Sequence, residues 1–79
     1  MPFEVVMPRL GWNMETGRLG EWLKKEGEHV EVGELLFTVE SDKAVQEVES
    51  IATGTLEAIH VQPGEKVQVG TAIATIEVG

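Results

Sequence analysis

The sequence contains no cysteine. This absence excludes a disulfide framework, a thiolate metal site and a cysteine nucleophile. A small domain without disulfides is typical of a reducing compartment, so we expect a cytosolic setting. The sequence also lacks a long apolar run and a basic N-terminus followed by a short apolar segment. We therefore expect neither a membrane span nor a secretory signal.

Basic residues are few, with six Lys and Arg against fourteen Asp and Glu, and the formal net charge is −8. This balance argues against nucleic acid and against an anionic membrane surface as partners. It permits attraction to a positively charged protein surface, although solubility alone is a sufficient reason for acidity. A chain of 79 residues is expected to form one domain, residues 1–79, with a thin core.

Short alternating apolar segments separated by turn residues run through the whole chain, and no segment has a sustained helical period. This pattern predicts an all-β sandwich or flattened barrel of about eight short strands. The expected strands lie at 3–7, 19–23, 30–32, 35–39, 45–49, 55–61, 67–69 and 72–78.

An internal repeat accounts for this layout, because the two halves of the chain overlay at an offset of 37 residues. Gly27 falls on Gly64 and Glu40 falls on Glu77, and most other identities also lie at turns or alternate apolar positions. Two similar halves of mainly antiparallel strands predict a sandwich with quasi-two-fold symmetry.

The halves differ after Glu40, where the first half continues into Ser41-Asp42-Lys43-Ala44 and the second half ends. Asp favours turns, and alternating apolar residues flank this segment on both sides. We therefore predict a tight hairpin with Lys43 at its tip, where a lysine amine would face solvent on a support of fixed register. Taken alone, an exposed turn lysine is usually only a solubilising charge.

The chain resembles the lipoyl domains of 2-oxo acid dehydrogenase complexes, most closely the N-terminal domain of the acyltransferase component. The resemblance covers nearly the whole chain and depends on the order and spacing of several stretches. These stretches are 7–17, 27–36, 40–44, 54–56 and 63–67.

The resemblance implies two four-stranded sheets and lipoate in amide linkage on Lys43. The related biotin carriers flank their lysine with methionines, whereas Asp42 and Ala44 stand here, so lipoate is favoured over biotin. The domain would not be an enzyme alone but a monomeric carrier, cytoplasmic or, in a eukaryote, in the mitochondrial matrix. Its implied partners are a lipoate-attaching enzyme, a thiamine-dependent 2-oxo acid decarboxylase, the acyltransferase core and dihydrolipoamide dehydrogenase. The alternatives are a biotin carrier of a carboxylase and an unmodified β-sandwich binding module.

Four residues are candidates for recognition by the attaching enzyme or the decarboxylase. Glu40, Asp42 and Ala44 flank the lysine, and Glu40 and Asp42 are expected on the same side of the hairpin. Trp12 lies in a predicted surface loop at 9–17, in which Leu10, Trp12 and Met14 are expected to be partly tucked against the body.

No other residues suggest chemistry. His29 and His60 have no metal-ligand spacing, and we expect them at the surface or at an edge. Trp22 follows a strand pattern and is expected in the core or at a partly covered edge. The sequence shows neither a Ser/His/Asp triad nor a phosphate-binding loop, so we predict no catalytic residues and no metal site.

Overall fold

The computed structural model describes residues 1–41 and 44–79, and every regular element in these two ranges is a β-strand. The described part of the chain therefore contains no helix of the length and apolarity needed to cross a membrane. The prediction of eight short strands is confirmed. The strands are β1 (Pro2–Val6), β2 (Thr16–Trp22), β3 (His29–Val30), β4 (Leu35–Glu40), β5 (Val45–Glu49), β6 (Gly54–Ile59), β7 (Lys66–Gln68) and β8 (Ala72–Glu77).

The strands form two four-stranded sheets, with the orders β1-β8-β6-β3 and β5-β4-β2-β7. Every pairing is antiparallel. Among the described residues no strand belongs to both sheets, so the fold is a sandwich and not a closed barrel. Strand β2 begins at Thr16, earlier than predicted, because Thr16 and Gly17 pair with Gln68 and Val67 of β7.

The core lies between the two sheets and is supplied mainly by their central strands. In β4 and β8 four consecutive residues are buried, whereas the edge strand β5 has no buried residue. Full burial of a large apolar side chain stabilises a fold by about 1.5–3 kcal/mol relative to its exposed state. The fully buried large side chains are Phe37, Met7, Leu19, Leu36, Leu56, Ile73, Ile76, Val30 and Val39.

Trp22 packs against this core from β2, as the sequence predicted. Its ring centroid lies 5.2 Å from that of Phe37, and the planes are tilted by 48°. Its indole Nε1–H donates to the carbonyl of Val61 at 2.9 Å, so the polar atom is paired where the ring is partly buried. The contact ties the end of β2 to the segment that follows β6.

The quasi-two-fold symmetry predicted from the repeat is visible in the hydrogen bonds between the halves. The amide of Gly27 donates to the carbonyl of Leu56 at 2.7 Å, and the amide of Gly64 donates to the carbonyl of Leu19 at 2.8 Å. These two bonds exchange under the sequence offset, and β4 and β8 occupy equivalent residues. Each half therefore anchors its turn on a strand of the other half.

Four equivalent turns set the strand connections, and each needs a glycine. Gly27, Gly33, Gly64 and Gly70 have φ angles of 95°, 94°, 92° and 93°, in the left-handed region that glycine enters without a steric penalty. In three turns the next residue is a glutamate whose carboxylate accepts a hydrogen bond from the backbone amide three residues earlier. These bonds join Glu28 to Lys25 (2.6 Å), Glu34 to Glu31 (2.8 Å) and Glu65 to Gln62 (2.6 Å).

Candidate functional site

The candidate site is built on the β4–β5 hairpin. Glu40 pairs with Val45 at the end of the ladder. Beyond this pair, the amide of Ser41 donates to the carbonyl of Ala44 at 2.8 Å, and the Ser41 hydroxyl donates to the same oxygen at 3.1 Å. Ser41 therefore lies opposite Ala44, and both residues are exposed.

Two of the predicted site residues, Asp42 and Lys43, lie outside the described residues. The predictions that Lys43 occupies the tip and that Asp42 shares a side with Glu40 therefore remain predictions. The described structure does fix where the segment begins and ends, because Ser41 and Ala44 form the closing pair.

The two strands that support the hairpin differ in burial, since β4 is mostly buried and β5 is mostly exposed. Residues Leu36 to Val39 of β4 are buried, whereas Val45 of β5 is 62% exposed. The hairpin is therefore anchored in the core through β4, while β5 forms a solvent-facing edge. Glu40 and Ala44, two of the predicted recognition residues, are exposed at the end of this support.

The loop between β1 and β2 is ordered by its own polar contacts. The guanidinium of Arg9 donates to the carbonyls of Met14 at 2.7 Å and Trp12 at 3.3 Å. The amide of Met14 donates to the carbonyl of Gly11 at 3.0 Å and closes a turn. These bonds hold residues 9–14 in one conformation on a short stretch of chain.

The prediction that Trp12 is partly tucked against the body is wrong, since its side chain is 90% exposed. Met14 takes the apolar position instead and packs against the core, as predicted, while Leu10 is 39% exposed. Within the turn at 11–14, Met14 packs against the core and Trp12 faces solvent. The exposed Trp12 therefore contributes little to packing in the described structure, and its role in recognition stays a prediction.

The start of β2 and the β4–β5 hairpin lie side by side at one end of their sheet. A polar groove of about 360 Å³ is lined by residues at the start of β2, by the hairpin and by one residue of β7. The lining residues are Thr16, Gly17, Arg18, Glu40, Ser41 and Lys66. The loop at residues 9–14, which contains Trp12, leads through Glu15 into Thr16 and so into the lining of this groove.

Two residues of this groove, Arg18 and Lys66, were missed from the sequence. Arg18 pairs with Glu40 on one side and with Lys66 on the other, so the three side chains form a row on the exposed face of the sheet. The guanidinium of Arg18 also donates to the carbonyl of Gly64 at 2.8 Å. No local sequence signal indicates this row, because Arg18 and Lys66 meet only through the pairing of β2 with β7.

Some other titratable groups form contacts away from the groove. His60 Nε2 lies 3.0 Å from the Thr75 hydroxyl oxygen, and that hydroxyl donates to Glu4 at 3.1 Å. The amide of Glu31 and, to a lesser extent, the ammonium of Lys24 hold the pKa of Glu34 below its usual value. In the two described ranges, no three His, Asp or Glu side chains are grouped closely enough to hold a metal ion.

Comparison with known proteins places the chain in a family. A family model described as "Biotin-requiring enzyme", of the biotin and lipoyl type, matches residues 3–76. The chain is 45% identical to the dihydrolipoyllysine-residue acetyltransferase component of the acetoin cleaving system of Bacillus subtilis, over 96% of the chain and 19% of that protein. It is 43% identical to the pyruvate dehydrogenase E1 component subunit beta of Rhizobium meliloti, over 96% of the chain and 17% of that protein. It thus spans less than a fifth of each of these two relatives.

One solved structure covers almost the same length. It is the solution structure of the lipoyl domain of the 2-oxoglutarate dehydrogenase complex of Azotobacter vinelandii. Its TM-score is 0.75 at 31% sequence identity, and the match covers 96% of this chain and 98% of that one. The chain therefore belongs to the biotin- and lipoyl-attachment domain family and, within it, to the lipoyl domains of the 2-oxo acid dehydrogenase type.

Proposed function

We propose that Lys43 carries lipoate in amide linkage and that the domain is the mobile carrier of a 2-oxo acid dehydrogenase complex. The observation that carries this proposal is the closing pair of Ser41 and Ala44, with only Asp42 and Lys43 between its members in the sequence. As a lipoyl domain, the chain is a carrier and not a catalyst.

The residues around the hairpin fit a covalently held arm. An amide-linked group needs an amine on an exposed support and no enclosing cavity, and Ser41, Ala44 and Val45 are all exposed. A lysine is a cation at neutral pH, so the attaching enzyme must remove a proton before the nitrogen attacks an activated lipoyl carboxyl group. Formation of the amide removes one positive charge from a domain whose net charge is already −8.

Bound lipoate supplies a dithiolane that takes up an acyl group together with two electrons and gives them up separately. The protein contributes position and address. Tethering the group to a short hairpin makes successive encounters effectively intramolecular and raises the local concentration of the reacting group. The rigid β4 support and the ordered Trp12 loop define the face that a partner meets.

The sequence around Lys43 favours lipoate over biotin, although the family includes both. Biotin carriers flank their lysine with methionines, and this chain has Asp42 and Ala44 there. Met7 is buried and Met14 packs against the core, so these methionines serve the scaffold. A binding module without any modification is the remaining alternative.

The partners that follow from this function are a lipoate-attaching enzyme, a thiamine-dependent decarboxylase, an acyltransferase core and dihydrolipoamide dehydrogenase. We propose that the domain belongs to an acyltransferase subunit and works in the cytoplasm, or in the mitochondrial matrix of a eukaryote. The relatives named above belong to systems for acetoin, pyruvate and 2-oxoglutarate. The proposal therefore concerns the class of complex, and the substrate is set by the decarboxylase and acyltransferase active sites.

Mass spectrometry of the domain isolated from its native host tests the proposal. We expect a lipoyl group on the peptide that contains Lys43. A biotinyl group on that peptide would establish the biotin carrier instead, and an unmodified lysine in native material would establish the binding module. Lipoate on Lys24, Lys25 or Lys66 would show that the attachment site is wrong.

A further inference from the structure

The fold builds the same row of three cross-strand partners twice, once in each sheet. Each row consists of one residue from an edge strand and one from each of the two central strands of the sheet. Beside the hairpin the row is Lys66, Arg18 and Glu40, and its symmetry mate beside the chain ends is His29, Thr55 and Glu77.

The two rows share the glutamate and differ in the cations. Arg18 and Lys66 lie directly opposite each other across two strands, a position where like charges destabilise a sheet. The mate of this pair, Thr55 and His29, shows that the scaffold does not need two cations there. The destabilising pair of like charges is present in one half only, which indicates that these two cations have a role outside folding.

The cations stand out against the charge of the domain. They lie in the 360 Å³ groove that also contains Glu40 and Ser41, in a protein with a net charge of −8. Among the described residues, the ion pairs within 4.0 Å involve neither Arg18 nor Lys66. The guanidinium of Arg18 donates one hydrogen bond to the carbonyl of Gly64 and has five N–H donors in all.

We propose that Arg18 and Lys66 form a docking site for a carboxylate side chain of the decarboxylase that acts on the hairpin. This inference rests on the proposed function, because an enzyme that receives the hairpin must cover the groove beside it. The acidic domain as a whole is drawn to a basic enzyme surface. A carboxylate on that surface is repelled by most of this acidic domain and attracted opposite this pair, so it fixes the orientation of docking.

The guanidinium of Arg18 suits this role. Its planar donors match the two oxygens of a carboxylate, and its bond to Gly64 already limits its conformations. Lys66 adds a second positive charge, and its ammonium group does not require a particular orientation of the carboxylate. The site therefore recognises an acidic side chain by both geometry and charge.

A matched pair of double variants tests the inference with lipoylated domain, loading being confirmed by mass. Arg18→Gln with Lys66→Gln removes the site, and Lys24→Gln with Lys25→Gln removes the same charge elsewhere. The measurement is reductive acylation by the cognate decarboxylase at several salt concentrations. We expect the site variant to lose roughly fivefold in kcat/KM at low salt with kcat unchanged, since a rim charge acts on encounter. The control variant should equal or exceed the wild type, because it is more acidic.

Equal rates for the two double variants would overturn the inference and leave the proposed function intact. A wild-type domain that carries lipoate but is not acylated would count against both. Amide shifts give a second readout, since titration with the decarboxylase should shift Lys66 and Val67 of β7. Amide shifts confined to residues 9–14 and the hairpin would overturn the docking site. It would also be overturned if the Arg18→Gln, Lys66→Gln variant were slower only in lipoylation by the attaching enzyme and not in reductive acylation.

Discussion

Ser41 and Ala44 are joined by two hydrogen bonds to one acceptor, from the Ser41 amide at 2.8 Å and from its hydroxyl at 3.1 Å, both to the Ala44 carbonyl. This relationship sets the register of the hairpin at the point where β4 and β5 separate. The backbone bond is the larger constraint, since it continues the ladder from the pair of Glu40 and Val45. Changes that preserve this bond and changes that remove it should therefore have different effects.

Deleting Ser41 should reduce lipoylation strongly while stability stays near normal. The deletion moves the register by one residue, which turns alternating side chains to the opposite face of the strand. Ser41→Ala removes only the hydroxyl bond and should be lipoylated at nearly the wild-type rate. Loading by the attaching enzyme, followed by mass, distinguishes the two. Normal loading of the deletion variant would show that the enzyme reads the local sequence and not the register.

Lys43→Ala should abolish acyl carriage without lowering the melting temperature. The tip position predicted for Lys43 is a surface position, and surface substitutions away from special backbone or packing features usually change stability by less than about 0.5 kcal/mol. Lys25→Ala, at an exposed turn in another part of the chain, is the matched control and should be loaded normally. Thermal unfolding and mass spectrometry measure both properties. Acyl transfer retained by Lys43→Ala would place the attachment site elsewhere.

The fold could be predicted from the sequence because its turns are marked by glycines that recur at the same offset in both halves. The glycines of the repeat, such as Gly27 and Gly64, have nearly the same positive φ, and the equivalent strands β4 and β8 follow from the offset. The start of β2 was placed too late because Thr16 and Gly17 have no apolar alternation. Their pairing with β7 depends on a strand fifty residues further on.

The candidate site was predicted only in part for a similar reason. Glu40 and Ala44 are neighbours of the motif in sequence, so a local reading finds them. The outward direction of Trp12 depends on which loop residue fills the core position, and Met14 fills it. Arg18 and Lys66 become neighbours only through the pairing of β2 with β7. Residues that meet through tertiary pairing leave no local pattern.

Gly54→Ala should destabilise the domain by about 1–3 kcal/mol, the usual cost of overpacking. A Cβ at this position would meet the backbone carbonyl of Glu77 in β8, which cannot move without breaking the sheet. Gly11→Ala is the control, since the nearest atom to its Cβ would be 3.9 Å away, in Asn13. Denaturant unfolding measures the difference. Equal stability of the two variants would mean that the β6–β8 contact is looser than described.

The pKa of Glu34 should lie below its ordinary value. The Glu31 amide, and then Lys24, hold its pKa down in the folded state. A group with a depressed folded pKa contributes stability above its unfolded pKa and loses that contribution as the pH falls through the folded value. Carbon-detected NMR titration should show the low value in the wild type and a rise in Lys24→Gln. Glu34→Gln should flatten the acid limb of the stability profile, and an unchanged limb would contradict the assignment.

Trp12 and Glu40 should affect the decarboxylase in different ways, because one offers apolar area and the other charge. The Trp12 side chain is 90% exposed, so Trp12→Ala leaves the fold intact. It should nevertheless slow reductive acylation by roughly fivefold, the loss that about 1 kcal/mol at an aromatic contact gives. Its salt dependence should not change, since an indole carries no charge. Glu40→Gln should reduce both the rate and its salt dependence, because exposed charges act through a screened encounter.

Free lipoamide lacks both groups and should be a far poorer substrate than the loaded domain, since docking orients the reacting group. Rates equal to the wild type for both variants, at every salt concentration, would mean that the decarboxylase reads neither the loop nor the hairpin.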